Sequence, residues 1–452
     1  MNRLLRQFMV NGTLRAGAML VSVLLEALLV RALLPADYAT WGVALSFSLI
    51  AIVLTQFGYQ TSAIKIFARF RDGNTQGFHS ALVGASMVWA LAALLLLVIF
   101  AFAFGIFFPL ETDPELFWAI YAMTITRGVN TALAEGMRGT GHIVVSASLG
   151  GLGQHGGLIR TLGFGAAVAV LYFTGALDLA NALWASALVS LIASAIIVSV
   201  AVKAIPDQKK VSMASAISAI RTDLPSNIRL MSAQFLQLGS SRFAANLVGG
   251  ALALGPALAP YIIAQQISQL LLAPLTVLNG AIPNLIIEAH ARKDRDELEK
   301  IMRAASTVAF LASVIGCVIL VSAGPGFFRL VFGPDQGTAY TFFLILVPGF
   351  LFNSYTGSAA RALALLGEEH AYAVTSLFTA LAAIPLYIIG GMFWNAAGLA
   401  LVTSVVLIGQ NIVYLMLVRA RLGVHSHAML DPRKIRPALR NLKRCQKNKV
   451  PR

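Results

Sequence analysis

Long apolar stretches alternate with short polar segments along almost the whole chain. Twelve of these stretches approach or exceed the roughly 20 residues that a helix needs to cross a bilayer. Their predicted bounds are 14–34, 40–64, 80–108, 115–137, 143–174, 179–203, 228–252, 257–287, 303–325, 338–362, 370–392 and 396–419. The pattern therefore predicts an all-α membrane protein with about twelve transmembrane helices.

The composition agrees with a membrane protein. The 452 residues are 58% hydrophobic and 12% charged, and the mean hydropathy is +0.78. A soluble domain carries about 25% charged residues, so this chain has too little polar surface for a water-soluble fold. The apolar stretch that follows the basic start lacks a small-residue cleavage site near its end. We interpret it as a first helix and not as a signal peptide.

The net charge of +15 is distributed in a way that predicts topology and argues against nucleic-acid binding. Basic connections alternate with acidic ones, and basic connections face the cytoplasm in membrane proteins. The basic set is Arg3 and Arg6; Lys65, Arg69 and Arg71; Arg138; Lys203, Lys209, Lys210 and Arg221; Arg292, Lys293, Arg295 and Lys300; Arg361; and the tail from Arg419. The acidic set is Asp37; Glu111, Asp113 and Glu115; Asp178; and Asp335, with only Arg31 and Arg329 near helix ends. We expect an inner-membrane protein with an even number of helices and both termini in the cytoplasm.

The longest cytoplasmic connection divides the chain into two halves. We expect an N-terminal lobe over 1–203, a linker over 204–227, a C-terminal lobe over 228–422 and a basic cytoplasmic tail over 423–452. Each half starts and ends inside, so the two six-helix lobes are predicted to be parallel repeats related by an axis along the membrane normal. Short sequence echoes agree with a repeat: Pro35-Ala36 precedes Tyr38, as Pro256-Ala257 precedes Tyr261.

Three short motifs carry a resemblance to a known family. They are Leu29-Val30-Arg31-Ala32-Leu33-Leu34-Pro35-Ala36-Asp37-Tyr38 with the later Gln56-Phe57-Gly58; Pro260-Tyr261 with Ala264, Gln265, Pro274 and Pro283; and Leu330-Val331-Phe332-Gly333-Pro334 with Ala339. The chain resembles the polysaccharide-transporter (O-antigen flippase) family of the multidrug/oligosaccharidyl-lipid/polysaccharide exporter superfamily. The resemblance covers nearly the whole chain. It implies two six-helix lobes around a central cavity that opens alternately to either side.

Charged residues inside the predicted spans are the first candidates for a site, because such residues are costly in a bilayer and usually face a cavity or a partner. Arg15 and Glu26 share one face of the first helix, and Arg127, Glu135 and Arg138 share one face of the fourth. Arg15 and Arg138 lie near the cytoplasmic mouth, where snorkelling or topology would also explain them. Glu26 either couples a proton or neutralises an arginine. Arg127 either binds substrate or pairs with Glu26 or Glu135.

The fifth helix and the second half supply further candidates. Arg160 lies in the middle of its predicted span without an acid within one turn, next to a glycine cluster that contains Gly153 and Gly157 in GxxxG spacing. In the second half, Gln234, Arg242 and Gln265 lie on polar faces of their predicted helices. Such rows suit sugar hydroxyls, and hydrogen bonding between helices explains them equally well.

The balance of deep charges favours an anionic substrate. Even if both acids pair, positive charge remains in the cavity, and guanidinium groups bind phosphate bidentately. The sequence predicts a flippase that moves a polyprenyl-diphosphate-linked oligosaccharide to the periplasmic leaflet for polysaccharide assembly. The substrate-binding candidates are Arg127, Arg160, Arg15, Arg138, Arg242, Gln234 and Gln265, and the proton-coupling candidates are Glu26 and Glu135.

Other interpretations remain open at this point. A peptidoglycan-precursor flippase and an ion-coupled multidrug exporter belong to the same superfamily. An enzyme is disfavoured, because the chain has no nucleophile–base constellation, P-loop or dinucleotide motif, and the short outer connections leave no room for a catalytic domain. We expect no cofactor or metal, since the two cysteines lie far apart in the sequence and no Cys/His cluster exists. Expected partners are membrane lipids and proteins of polysaccharide polymerisation and export.

Overall fold

The protein is described here from a computed structural model. The described residues are 3–59, 63, 66–70, 78–111, 113–150, 156–204, 214, 217, 218, 221, 224, 227, 228, 231, 234, 235, 238, 242–281 and 283–429. Within them the chain is almost entirely helical and shows no strand. The predicted all-α fold is confirmed.

Fifteen α-helices with defined bounds lie in the described part of the chain. They are α1 Arg3–Ala32, α2 Pro35–Gln56, α3 Phe78–Phe107, α4 Pro114–Gly139, α5 Ile143–Leu149, α6 Leu158–Phe173, α7 Leu179–Ala204, α8 Arg242–Ala251, α9 Leu258–Leu270, α10 Ala273–Ala281, α11 Pro283–Ala291, α12 Arg295–Phe332, α13 Gly337–Thr356, α14 Ala359–Leu365 and α15 Glu369–Leu417. Six helices of this part are long and apolar enough to cross a membrane, or seven if a bent pair counts as one span. The chain is a multi-pass membrane protein.

Kinks and breaks explain why helices and predicted spans do not match one to one. α15 covers two predicted spans, and its backbone leaves helical geometry at Trp394 and Asn395, where the second span begins. α12 is interrupted at Gly324, which has a φ of 63° and precedes Pro325. Proline inside a helix removes a backbone hydrogen bond and bends the helix. A further bend separates Gly255–Leu270 from Ala273–Asn279, which meet at 51°.

The predicted fifth span, 143–174, is not one helix. α5 ends at Leu149 and α6 begins at Leu158. A Cβ added to Gly157 would lie 2.4 Å from the backbone oxygen of Ser148, so the two chain segments approach closely only because this residue is glycine. Gly153 and His155, which belong to the glycine-rich part of this span, lie outside the described residues.

The chain divides into two compact units, Met1–Ala259 and Pro260–Arg452. α8 belongs to the first unit, where the Asn246 amide donates a hydrogen bond of 2.8 Å to the Ser46 hydroxyl on α2. This division differs by one helix from the lobe bounds expected from the sequence, which remain a prediction. The expected linker, 204–227, lies largely outside the described residues.

The ends of the helices that build the N-terminal unit follow simple sequence rules. α2 starts with Pro35 and α4 with Pro114, and proline suits the first turn because its missing N–H has no partner there. The Asp113 carboxylate caps α4 by accepting the backbone N–H of Glu115 at 2.8 Å. These starting points determine which residues of α2 and α4 reach the interior of the unit.

Candidate functional site

A cavity lies inside the N-terminal unit, between α1, α2, α4, α6 and α7. Its wall combines three charged side chains with hydroxyl, aromatic and aliphatic groups. The lining residues are Ser22, Leu25, Glu26, Trp41, Leu45, Arg127, Arg160, Thr161, Phe164, Ser186, Val189 and Ser190. The space open to the centres of water molecules is about 50 Å³. This conformation has room for a few ordered waters and no larger molecule.

Glu26 is the acid of this cavity. It lies on α1 with 7% of its surface exposed, and the Tyr38 hydroxyl donates a hydrogen bond of 3.0 Å to its Oε2. Tyr38 is itself 1% exposed and occupies the first turn of α2. The nearby Trp41 stacks on Phe164 with ring centroids 5.7 Å apart. Glu26 is thus held between the first two helices in a site closed by aromatic rings.

Arg127 enters the cavity from the middle of α4 and is 4% exposed. Its charge attracts that of Glu26. The sequence left open whether Glu26 or Glu135 lies near Arg127, and the cavity brings Arg127 together with Glu26. A buried arginine with one carboxylate in reach keeps its charge and retains further donors in its planar fork.

Glu135 and Arg138 form a separate pair two turns further along α4. An Arg138 guanidinium nitrogen lies 3.0 Å from Glu135 Oε2, and the Glu135 side chain is fully buried while that of Arg138 is 22% exposed. Neither residue lines the cavity. Their assigned roles, substrate binding for Arg138 and proton coupling for Glu135, remain predictions.

Arg160 reaches the cavity from the first turn of α6 and is 8% exposed. Its Nη1 donates to the Ser190 hydroxyl on α7 at 3.3 Å. A Cβ added to Gly156, whose φ is +58°, would lie 1.8 Å from Arg160 Nη2. The guanidinium therefore packs against a backbone position that only glycine leaves open. The helix break thus positions Arg160, and the N-terminus of α6 adds partial positive charge beside it.

The charges of the cavity do not cancel. Arg127 and Arg160 repel each other, and Glu26 is the one acid among the described residues of the wall. Two guanidinium groups thus share a single carboxylate among the lining residues. The arrangement suits an anion that offers several oxygens, because each guanidinium can hold two of them.

The remaining candidates from the sequence are not part of this cavity. Gln265 lies on α9 in the C-terminal unit, 3% exposed, and its Nε2 makes no hydrogen bond in the part that the structure describes. Gln234 is a half-buried helical residue of the N-terminal unit. Arg15 lies on α1 and Arg242 begins α8, and their side chains are outside the described part. The binding roles of all four remain predictions.

Several residues of the site were not anticipated from the sequence. Trp41 and Ser190 line the cavity from α2 and α7, and Tyr38 contacts Glu26 from the first turn of α2. None of the three is charged, so charge inside a predicted span does not point to them. In the sequence, Gly156 is one member of a glycine cluster. Its proximity to Arg160, four residues later, was the available signal, since glycine often marks a close approach of backbone to another group.

Comparisons with known proteins identify the fold. No protein-family model matches the chain, and no curated protein matches it in sequence. A structure of the lipid II flippase MurJ in an inward closed conformation is similar, with a TM-score of 0.68 and 12% identity over 98% of this chain and 94% of that one. An inward-facing multidrug resistance MATE family transporter of the MOP superfamily is similar with a TM-score of 0.66 and 16% identity, over 90% of this chain and 94% of that one. The chain has the fold of these transporters.

Proposed function

We propose that the protein is a flippase for a lipid-linked saccharide. It moves a polyprenyl-diphosphate-linked oligosaccharide from the cytoplasmic to the periplasmic leaflet by alternating access, as a step in polysaccharide assembly. The fold supports a transporter, because the similar structures are those of a flippase and of a multidrug transporter. The chemistry of the buried cavity supports the class of substrate.

One observation carries the proposal: two buried arginines and one acid share a cavity in the N-terminal unit. Burying a charge removes its hydration, and an unmatched buried charge is strongly unfavourable. We infer that the protein keeps this charge because it has an anionic partner in another conformational state. A diphosphate supplies the additional anion, with enough oxygens for both guanidinium groups.

The present conformation is closed to that substrate. Space for a few waters cannot admit a diphosphate. Binding therefore requires α1, α2 and their neighbours to separate around Arg127 and Arg160. In the closed state Glu26 serves as the counter-ion of Arg127, and in the loaded state the phosphate takes its place.

That exchange gives Glu26 a role in energy coupling. No ATP-binding motif is present in the sequence, so an ion gradient or the gradient of the glycan must drive transport. Protonation removes the charge of Glu26 and leaves Arg127 available to phosphate. Glu135 remains a second candidate, but its contact with Arg138 places it outside the cavity.

Proteins of this fold suggest two alternative functions, and the charge of the cavity bears on each. A multidrug exporter for cations is disfavoured, because the cavity repels a cationic drug. A peptidoglycan-precursor flippase is favoured as the second candidate, because MurJ is a lipid II flippase and lipid-linked precursors share the diphosphate. The two kinds of flippase differ in the glycan and not in the charge chemistry.

Ligand-induced stabilisation tests the proposal. The purified protein is heated with a polyprenyl-diphosphate oligosaccharide, with the lipid II type of precursor, with polyprenyl monophosphate and with a cationic drug. Specific ligands raise the melting temperature by mass action. The proposal predicts a rise with the diphosphate oligosaccharide that exceeds the rise with monophosphate. Stabilisation by the cationic drug alone would contradict it, and preference for the lipid II type would select the second candidate.

Orientation is a separate part of the proposal. An impermeant thiol reagent applied to intact cells should label single cysteines placed at 113, 178 and 335, and should label those at 71, 209 and 293 only after the membrane is opened. The expectation follows from the basic and acidic connections. Labelling of 209 from outside would contradict two lobes that both start and end in the cytoplasm.

A further inference from the structure

After α15 the chain does not leave the C-terminal unit but folds back across it. A π-helical turn, Val418–Leu422, is followed by Gly423 with a φ of +71°, which reverses the direction of the chain. Residues 423–429, called the strap here, then cross α12 and α13. The backbone N–H of His425 donates to Glu299 at 3.1 Å, and that of Ala428 donates to the backbone oxygen of Tyr355 at 2.8 Å.

Further contacts bury the strap. The Ser306 hydroxyl donates to the Ser426 backbone oxygen at 2.7 Å, and the Met429 N–H donates to the Thr307 hydroxyl at 2.8 Å. Ser426 is 1% exposed. The His427 ring stacks on Tyr355 with centroids 5.5 Å apart. Backbone groups of the strap are thus satisfied by α12 and α13, so the chain beyond residue 429 departs from a fixed point.

The strap crosses the unit at the ends of membrane-spanning helices. Glu299 lies in the first turns of α12, and Tyr355 lies in the last turn of α13. Leu422 and Val424 pack in one buried cluster with Tyr414 near the end of α15. The departure point is therefore close to a membrane surface.

The protein around the strap is nearly balanced in charge. Between residues 288 and 303, at 361, 368 and 369, and at 419 and 421, the chain carries eight Lys and Arg and seven Asp and Glu. Several of the acids there have local partners. The pairs are Arg292 with Glu297 at 3.3 Å and with Glu288 at 3.9 Å, Arg303 with Glu299 at 3.2 Å, and Arg421 with Glu368 at 4.0 Å. This surface does not attract a large excess of positive charge.

The residues that follow the strap carry such an excess. The 23 residues 430–452 contain nine Lys and Arg and one Asp. Fully extended, they span at most about 80 Å, at roughly 3.5 Å per residue. A helix with its side chains is only about 10–12 Å wide, so this segment can pass beyond the protein edge and reach the lipid.

We propose that residues 430–452 bind the anionic phospholipid headgroups of the leaflet next to the strap, and that the strap holds them at that surface. The assignment to the cytoplasmic leaflet rests on the orientation given under the proposed function. A basic segment near an anionic leaflet gains about 1 kcal/mol per Lys or Arg, and the attraction fades within a Debye length of about 8 Å. Tethering by the strap keeps the segment where this attraction acts.

Energy transfer from the segment to lipid tests the proposal in the full chain. A donor fluorophore is attached to Cys445 in a Cys317→Ala background, and the protein is placed in nanodiscs that carry an acceptor on the headgroup of a tracer lipid. The discs contain phosphatidylcholine alone or with phosphatidylglycerol. A charge-reduced variant carries Arg440→Gln, Lys443→Gln, Arg444→Gln and Lys447→Gln, which lowers the net charge of residues 430–452 from +8 to +4. A control that keeps every charge carries Asn441→Ser, Gln446→Ser and Asn448→Ser.

The proposal predicts strong transfer only with phosphatidylglycerol, and its loss at high salt. The binding constant should fall about fivefold for each charge removed, so the four-charge variant is released while the control stays bound. Equal transfer in both types of disc would overturn the proposal. So would transfer that requires added polyprenyl-diphosphate lipid, because the segment would then recruit substrate. The readout needs no transport, so its failure is separable from failure of the proposed function.

Discussion

Both units of the chain bury hydroxyl and amide groups, but among the described side chains only the N-terminal unit also buries charged ones. Of the side chains that the structure describes, the buried charged ones are Glu26, Arg127, Glu135 and Arg160, and all four lie in the N-terminal unit. The C-terminal unit buries hydroxyl and amide groups instead. Its hydrogen-bonded pairs include Ser313 with Ser354, Thr356 with Asn411, and Tyr261 with Thr403.

The difference separates packing from function. Neutral hydrogen bonds suffice to join helices in the C-terminal unit, as hydroxyl and amide groups commonly do in membranes. Buried charges are therefore not needed to pack helices, and they carry a large desolvation penalty. Their restriction to one unit, with three of them in one cavity, is the observation on which the proposed contact with the charged part of a substrate rests. Four sets of variants test the comparison.

The largest effect is expected from removing a cavity arginine. Arg127→Ala and Arg160→Ala should each weaken binding of the diphosphate lipid about 30-fold or more, since truncating one partner of a buried charged contact costs at least about 2 kcal/mol. Lysine at either position should restore part of the loss, because a point charge replaces a bidentate fork. Isothermal titration in detergent measures the affinity. Arg31→Ala, which replaces an exposed arginine of α1, is the matched control. Unchanged affinity in both cavity variants would show that the buried arginines do not bind the diphosphate.

Displacing Arg160 without touching its charge should have the next largest effect. Gly156→Ala forces a methyl group into the guanidinium and strains a backbone with a φ of +58°. A left-handed alanine costs about 1–2 kcal/mol, so we expect lower thermal stability and flipping reduced about tenfold. Gly165→Ala in α6 is the control, because a Cβ there meets nothing within 4 Å. If both alanine variants behave alike, Gly156 does not position Arg160.

The coupling role of Glu26 predicts that a neutral replacement removes the gradient dependence of flipping without removing substrate binding. A gradient of one pH unit is worth about 1.4 kcal/mol per proton, which corresponds to up to about a tenfold acceleration in the wild type. Glu26→Gln should flip at the same rate with and without the gradient in reconstituted vesicles. Glu135→Gln is measured in parallel. Loss of gradient dependence in Glu135→Gln alone would transfer the coupling role to that residue.

A purely structural acid would give a different pattern. Glu26→Gln would then lower thermal stability and yield, while the surviving protein would respond to the gradient as the wild type does. The retained Tyr38 hydrogen bond makes glutamine the right replacement, because the amide oxygen still accepts from the Tyr38 hydroxyl.

The smallest effect is expected in the C-terminal unit. Tyr261→Phe removes a hydroxyl that lies 2.7 Å from Thr403 Oγ1, while the Thr403 hydroxyl keeps its bond to the Leu399 oxygen. The free energy of unfolding should fall by about 0.5–1.5 kcal/mol, as measured by chemical denaturation. Flipping should stay at the wild-type rate. A loss of flipping as large as that of the arginine variants would show that the neutral unit also contacts substrate.

The sequence predicted the helices well because each span must be apolar over its length. It failed where helices break. The interruption between Leu149 and Leu158 lies inside one continuous apolar stretch, so hydropathy alone cannot locate it. The glycine cluster was visible, but glycine in a span is equally compatible with close helix packing.

For the site, the sequence identified the charged residues but not their arrangement. Helical spacing on α4 placed Arg127 and Glu135 on one face, and it left two acids as candidates for the vicinity of Arg127. Tertiary packing of α1 against α6 and α2, and of α2 against α4, brings Glu26 into the cavity with Arg127. The strap was not predicted, because its seven residues form no periodic element and are held by contacts with α12 and α13.

Flipping by the cavity-arginine variants tests the central claim most directly. Wild-type protein, Arg127→Ala, Arg160→Ala and Arg31→Ala are reconstituted at equal density with a fluorescent polyprenyl-diphosphate oligosaccharide, and an impermeant quencher reports the fraction in the outer leaflet over time. The account predicts that the wild type and Arg31→Ala flip the lipid, and that both cavity variants remain at the rate of protein-free vesicles while melting at temperatures close to the wild type. Flipping at the wild-type rate by both cavity variants would contradict it.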